Sequence, residues 1–122
     1  MIFWIALGGA AGSVSRYVLG GAAQKIAGMP FPIGTLLVNL SGCFLIGVLS
    51  QHYMNVQAHP QMRAALITGF CGGYTTFSAF SLETTGLLNG GEYMKAAAYV
   101  ALSVTVSLAA TFAGTATAAR FQ

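Results

Sequence analysis

The sequence predicts an all-α membrane protein of four transmembrane helices, the third broken near its middle. Three observations predict it. First, 56% of the 122 residues are hydrophobic and only 6% are charged, with a mean hydropathy of +0.72. Soluble domains carry about a quarter charged residues. Five basic and two acidic side chains cannot cover a soluble surface of this size, and lipid as the outer solvent removes the conflict. Second, the apolar residues gather in four stretches, each near the ~20 residues that span a bilayer. Third, the third stretch contains Gly69, Gly72 and Gly73 followed by Tyr74-Thr75-Thr76. Paired glycines before β-branched residues weaken a helix locally.

The first stretch runs from Ile2 to Ile26. It is apolar from its start and lacks the positive leader of a signal peptide, so it reads as a retained membrane helix. Gly8, Gly12, Arg16 and Gly20 repeat every four residues, and Gly8-xxx-Gly12 and Gly9-xxx-Ser13 permit close helix approach. Arg16 must snorkel, pair with Glu83 or Glu92, or face water as an electropositive vestibule. The second stretch, Ile33 to Tyr53, places Asn39, Gly42, Gly47 and Ser50 roughly on one face. An amide within the bilayer needs a partner, either a pore occupant or a neighbouring helix.

The third stretch runs from Met62 to Leu88. A break in the run from Gly69 to Thr76 would leave carbonyls free for a cation, as in discontinuous transporter helices; close packing through glycine is the other reading. Phe77 and Phe80 follow three residues apart. Such a pair is ordinary packing, or else an anion site, because the edge of a phenyl ring is electropositive. The fourth stretch, Tyr93 to Ala119, carries Tyr99, Ser103, Ser107 and Thr111 at four-residue spacing. Those hydroxyls share one face. They form either a track for a small solute or back-bonds to their own helix. Pro30 and Pro32, the segment His52–Gln61 with Asn55 and Pro60, and Asn89-Gly90-Gly91 mark three loops. Short loops make residues 1–122 one antiparallel bundle and a single domain.

Charge and composition exclude several functions. The net charge of +3 is scattered, with no basic cluster for nucleic acid. Cys43 and Cys71 lie in apolar segments without ligand partners and read as small buried residues. Glu83 and Glu92, the two acids, both lie toward the third loop, so the mid-helix carboxylate of a proton-coupled exporter is missing. His52 and His59 have no nucleophile or acid at a motif spacing, which argues against an enzyme. An assembly subunit held by small residues explains the glycines but not the aligned hydroxyls. With the N-terminus, second loop and C-terminus on one side, Arg63 and Arg120 oppose Lys25 and Lys95 across the membrane. Orientation follows Lys/Arg asymmetry, and here there is almost none. That balance predicts insertion both ways and an antiparallel, dual-topology homodimer.

The motif GFCGGYTTFSAFSLE, Gly69 to Glu83, resembles the signature of the CrcB/Fluc fluoride channels. GGAAGSVSRY, Gly8 to Tyr17, and GTLLVNLSGCFLIG, Gly34 to Gly47, resemble that family's first- and second-helix motifs. The resemblance implies passive, selective fluoride export through two antiparallel pores per dimer, as a multi-pass protein of a prokaryotic plasma (inner) membrane. Hydrogen fluoride enters neutral and releases fluoride inside; the negative-inside potential then drives the anion out. By position, the resemblance makes Asn39, Phe77, Phe80, Tyr99, Ser103, Ser107 and Ser78 pore residues. It places Arg16 and Glu83 near the vestibules. It assigns a structural sodium ion at the dimer centre to the backbone carbonyls of Gly72 and Thr75. One departure stands out: Ala79 occupies a place where the family motif usually has Thr, which removes a hydroxyl from the track.

Overall fold

The computed structural model describes residues 1–55 and 59–122. Helix α1 spans Ile2–Ala27 and α2 spans Ile33–Asn55. The third crossing is built in pieces: α3 (Pro60–Arg63), a π-helical stretch (Ala64–Cys71), α4 (Gly72–Tyr74) and, after an interruption, α5 (Phe77–Asn89). Helix α6 spans Tyr93–Arg120. Helices α1, α2 and α6 are each long and apolar enough to cross a membrane unaided. The expected second loop shortens at both ends: α2 continues past His52, and Pro60 already opens α3. Its centre, residues 56–58, lies outside the described residues.

One backbone device and one side-chain device set the first turn. Gly28 adopts the left-handed conformation (φ 60°) and its N–H donates to the Gln24 carbonyl, closing α1. The Gln24 side chain then fastens the turn to α2. Its Nε2 donates to the carbonyls of Met29 (2.9 Å) and Phe31 (3.0 Å), and its Oε1 accepts from the Gly34 N–H (3.0 Å). Those three bonds satisfy backbone groups that no helix reaches.

Small residues form the seams. A Cβ on Gly8 would strike the Ala65 carbonyl, and one on Gly12 the Phe70 carbonyl. In return, a Cβ on Gly69 would lie 2.7 Å from the Ile5 carbonyl oxygen, and one on Gly73 would meet that of Gly9. Helix α1 and the third crossing therefore touch backbone to backbone. Gly20 and Gly34 do the same between α1 and α2, and Gly47 and Gly114 between α2 and α6. In lipid, where apolar side chains gain little by leaving the solvent, such close approach supplies the packing energy.

The interior is correspondingly small. Among the described residues the buried apolar side chains are Val38, Cys71, Tyr74, Ala96, Tyr99 and Ala110. Large apolar side chains on α1, α2, α5 and α6, from Phe3 and Val18 to Leu82 and Phe112, point outward. A surface of that kind is soluble only in lipid or against another protein.

The seam makes a direct prediction. Gly12→Val drives methyl groups into the Phe70 backbone and should cost about 1–3 kcal/mol or more. Gly21→Ala, where a Cβ meets nothing within 4 Å, should leave stability equal or slightly raised. Thermal denaturation in detergent, followed by the monodisperse peak on size exclusion, separates the two. Equal midpoints for Gly12→Val and the parent would show that the seam is looser than described.

Candidate functional site

The interruption of the third crossing falls at Thr75 (φ −84°, ψ 155°) and Thr76 (φ −148°, ψ 118°), both extended. The expected break is present, at the end of the Gly69–Thr76 run and just before Phe77. Gly72 and Gly73 remain helical, and Gly69 and Gly73 serve the seam with α1. Two extended residues at membrane depth would strand polar backbone groups unless side chains met them.

Asn39 meets them. Its Nδ2 donates to the Thr76 carbonyl (3.0 Å) and its Oδ1 accepts from the Thr76 N–H (2.7 Å). The side-chain amide thus pairs with one residue's backbone much as a neighbouring strand would. Thr76 in turn caps α5: its Oγ1 accepts from the Ala79 N–H at 3.1 Å. In an unbroken helix the Thr76 and Ala79 amides would bond the carbonyls of Gly72 and Thr75. Both amides are diverted, so those two carbonyls lose their helical donors. The Gly73 carbonyl has a substitute, because Arg16 Nε donates to it at 3.1 Å. Of the alternatives open for Arg16, pairing with a glutamate is not the contact made: among the described residues the ion pair is Lys95–Glu92, 3.3 Å apart.

Beside the break lies a cavity of about 340 Å³ between α2, α5 and α6. Asn39, Phe77, Phe80, Ser103 and Ser107 line it, together with Cys43, Thr75 and Thr76. Five of the seven sequence-predicted pore residues therefore share one space. The Ser103 hydroxyl is buried there and has no hydrogen-bond partner among the described residues. Thr111, the last rung of the hydroxyl ladder, bonds back to the Ser107 carbonyl (3.2 Å) and takes no part. Phe77 and Phe80 stand 5.4 Å apart at 54°, and Phe80 lies 5.1 Å from Tyr99 at 56°. Inclined rings turn edges as well as faces to their surroundings.

The remaining predicted residues lie elsewhere. The Tyr99 ring is fully buried, and its hydroxyl donates to Glu83 Oε2 at 2.6 Å. Thr35 Oγ1 donates to the other oxygen of the same carboxylate, also at 2.6 Å. Glu83, Thr35, Arg16 and Ala79 border a second cavity of about 320 Å³, on the α1 side of the break. Ser78 is exposed and shares a hydrogen bond with the Thr76 hydroxyl at 3.2 Å. Sequence reasoning missed Thr35, Thr76 and Cys43. A signal existed for two of them. Thr35 stands four residues before Asn39 on one helix face, and Thr76 stands in the N-cap position before an apolar run.

A family model described as CrcB-like protein, Camphor Resistance (CrcB), matches residues 3–115. The chain belongs to the CrcB family. Relatives named fluoride-specific ion channel FluC span nearly all of this CrcB chain. The one from Rhizobium meliloti (strain 1021) is 51% identical over 93% of this chain and 91% of its own length. That of Rhizobium etli (strain CIAT 652) is 49% identical over 92% and 90%. That of Solibacter usitatus (strain Ellin6076) is 48% identical over 90% and 91%.

In this CrcB chain the Asn39 clamp should dominate the stability of the break. Asn39→Ala leaves the Thr76 N–H and carbonyl unpaired in a half-buried site, which costs about 1–3 kcal/mol per group. The expected outcome is a marked fall in the thermal midpoint in detergent, larger than for Ser78→Ala. Equal midpoints would mean that another group replaces the clamp.

Proposed function

We propose that this chain is a membrane channel that conducts fluoride passively through the cavity between α2, α5 and α6. One observation carries the reading. The Ser103 hydroxyl is buried in the cavity wall without a partner, beside the half-buried Ser107 and the aromatic pair Phe77 and Phe80. A dry hydroxyl is costly, so the wall favours an occupant that accepts hydrogen bonds. Fluoride is a small and strong acceptor. Neutral donors and ring edges replace part of its hydration without a full positive charge, so it binds and still leaves. The printed names of the FluC relatives support the choice of ion. Asn39 frames the cavity and keeps one amide hydrogen beyond its bond to Thr76. Ser78, Tyr99, Glu83 and Arg16 extend the polar route outside it. No energy-coupling element is needed for a passive path, and the membrane potential supplies the direction.

One chain does not close the path. Phe77 is 79% exposed although it borders the cavity. A second copy, inserted the other way up, would cover that side and give two antiparallel pores. The even distribution of Lys25, Arg63, Lys95 and Arg120 supports the inverted arrangement. The carbonyls of Gly72 and Thr75, deprived of their helical donors, suit a sodium ion, since unwound membrane backbone offers hard oxygen ligands. Gly72 also has open space on its outer side, where the partner's carbonyls would complete the shell. Bound there, the ion would neutralise converging dipoles and hold the two copies together.

Two experiments test this reading. Liposomes loaded with potassium fluoride and carrying the purified protein should release fluoride rapidly when valinomycin is added, while chloride-loaded vesicles should not. Phe80→Ile should slow the release by an order of magnitude or more, about 1.4 kcal/mol or greater in the barrier. Equal chloride release would remove the fluoride assignment. For the assembly, terminal tags should report both faces of the membrane, and exchanging sodium for a bulky organic cation should lower the dimer's thermal midpoint. Tags on one face only would sink the inverted dimer, and an unchanged midpoint would sink the sodium site.

A further inference from the structure

Cys43 lies four residues beyond Asn39 on α2, hence on the same helix face. It borders the same cavity as Asn39, Ser103 and Ser107 and forms no disulfide. The expectation that both cysteines are buried small residues holds for Cys71, which is 1% exposed, but not for Cys43, which is half-buried. A second observation points to a polar occupant of this cavity. Ser103, 9% exposed, presents an unpartnered hydroxyl to it. Burying that group without water or an ion is costly. A thiol beside a hydrated cavity is open to small reagents, whereas a thiol sealed in packing is inert.

We propose that Cys43 is a covalent modification site in the cavity wall, through which small, neutral thiosulfonates reversibly shut the path. The proposal rests on reading this cavity as the fluoride path. In the reaction, the Cys43 thiol gives its proton to water and Sγ attacks the thiomethyl sulfur of methyl methanethiosulfonate. A new disulfide bond forms, the reagent's sulfur–sulfur bond breaks, and methanesulfinate leaves with the electron pair. The cysteine sulfur is oxidised and the sulfonyl half of the reagent is reduced. The added thiomethyl group replaces a small polar surface by an apolar one, beside the hydroxyls that would solvate an anion. Excess dithiothreitol reverses the step by exchange, releasing methanethiol and becoming oxidised itself.

The test uses the full-length protein in liposomes, as the parent, Cys43→Ser and Cys71→Ser. Each is measured before treatment, after methyl methanethiosulfonate, and after dithiothreitol. Fluoride efflux is one readout and the mass of each cysteine-bearing peptide is the other. The parent and Cys71→Ser should gain one thiomethyl group on Cys43 and lose at least roughly tenfold in efflux, about 1.4 kcal/mol in the barrier. Dithiothreitol should restore both readouts. Cys43→Ser, whatever its own basal rate, should show no change on treatment. Labelling of Cys71 alone, no labelling of the parent, or labelled Cys43 with undiminished efflux would each overturn the proposal. The untreated parent's efflux tests the conduction reading by itself, and the peptide mass decides the modification site without reference to flux.

Discussion

The pairing of the Asn39 side chain with the backbone of Thr76 is the constraint on which the rest of the site depends. A helix crossing a membrane satisfies its own backbone, and an interruption forfeits that satisfaction. Here a single amide takes both polar groups of Thr76, at 3.0 and 2.7 Å. With Thr76 held extended, its hydroxyl is placed to cap α5. The direction of α5 then sets Phe77 and Phe80 beside α6, and the cavity exists between them. The same pairing diverts the amide that would have closed over the Gly72 carbonyl. Cavity and exposed carbonyls are thus two consequences of one side-chain contact.

The glycine seams provide the stiffness that the clamp needs. Because Gly69 and Gly73 lie against the backbone of Ile5 and Gly9, the segment leading into the break cannot slide along α1 without losing close contact. Arg16 adds a lateral tie from α1 to the Gly73 carbonyl. On the other side, Ser41 shares a 2.8 Å hydrogen bond with the hydroxyl of the buried Tyr74, whose ring stacks on Phe70. The two residues before the break are therefore held from α1 and from α2 at once. Extended backbone at Thr75 and Thr76 follows from fixed ends more than from weak local propensity.

That distinction explains what was legible in the sequence. The four crossings were, because hydropathy and length respond to the bilayer alone. Gly8 and Gly12 were legible as packing residues, because small-residue spacing has a direct steric meaning. The break was legible within the run from Gly69 to Thr76. Inside that run tertiary contacts keep Gly72 and Gly73 helical, and the interruption falls on the threonines that Asn39 and the cap accommodate. Asn39 was visible as a buried amide needing a partner; which partner it takes depends on a contact between residues 37 positions apart. Arg16 was legible as a charge needing a partner or water, but which one was not: at this depth a carbonyl left over from a broken helix competes well, with no second charge to desolvate.

The placement of charge gives the two cavities different chemistry. Glu83 is occupied on both oxygens by Thr35 and Tyr99 hydroxyls, and Arg16 is committed to a carbonyl. Both border the cavity on the α1 side of the break. The cavity between α2, α5 and α6 is lined instead by an amide, hydroxyls, a thiol and aromatic rings, none carrying a formal charge in its ordinary state. An anion entering a low-dielectric site beside a fixed guanidinium would be held strongly, since the attraction grows as the dielectric falls. A wall of neutral dipoles offers several weaker interactions that can be exchanged one at a time along α6. Of these two cavities, the one without charge is therefore the one that fits the proposed anion path.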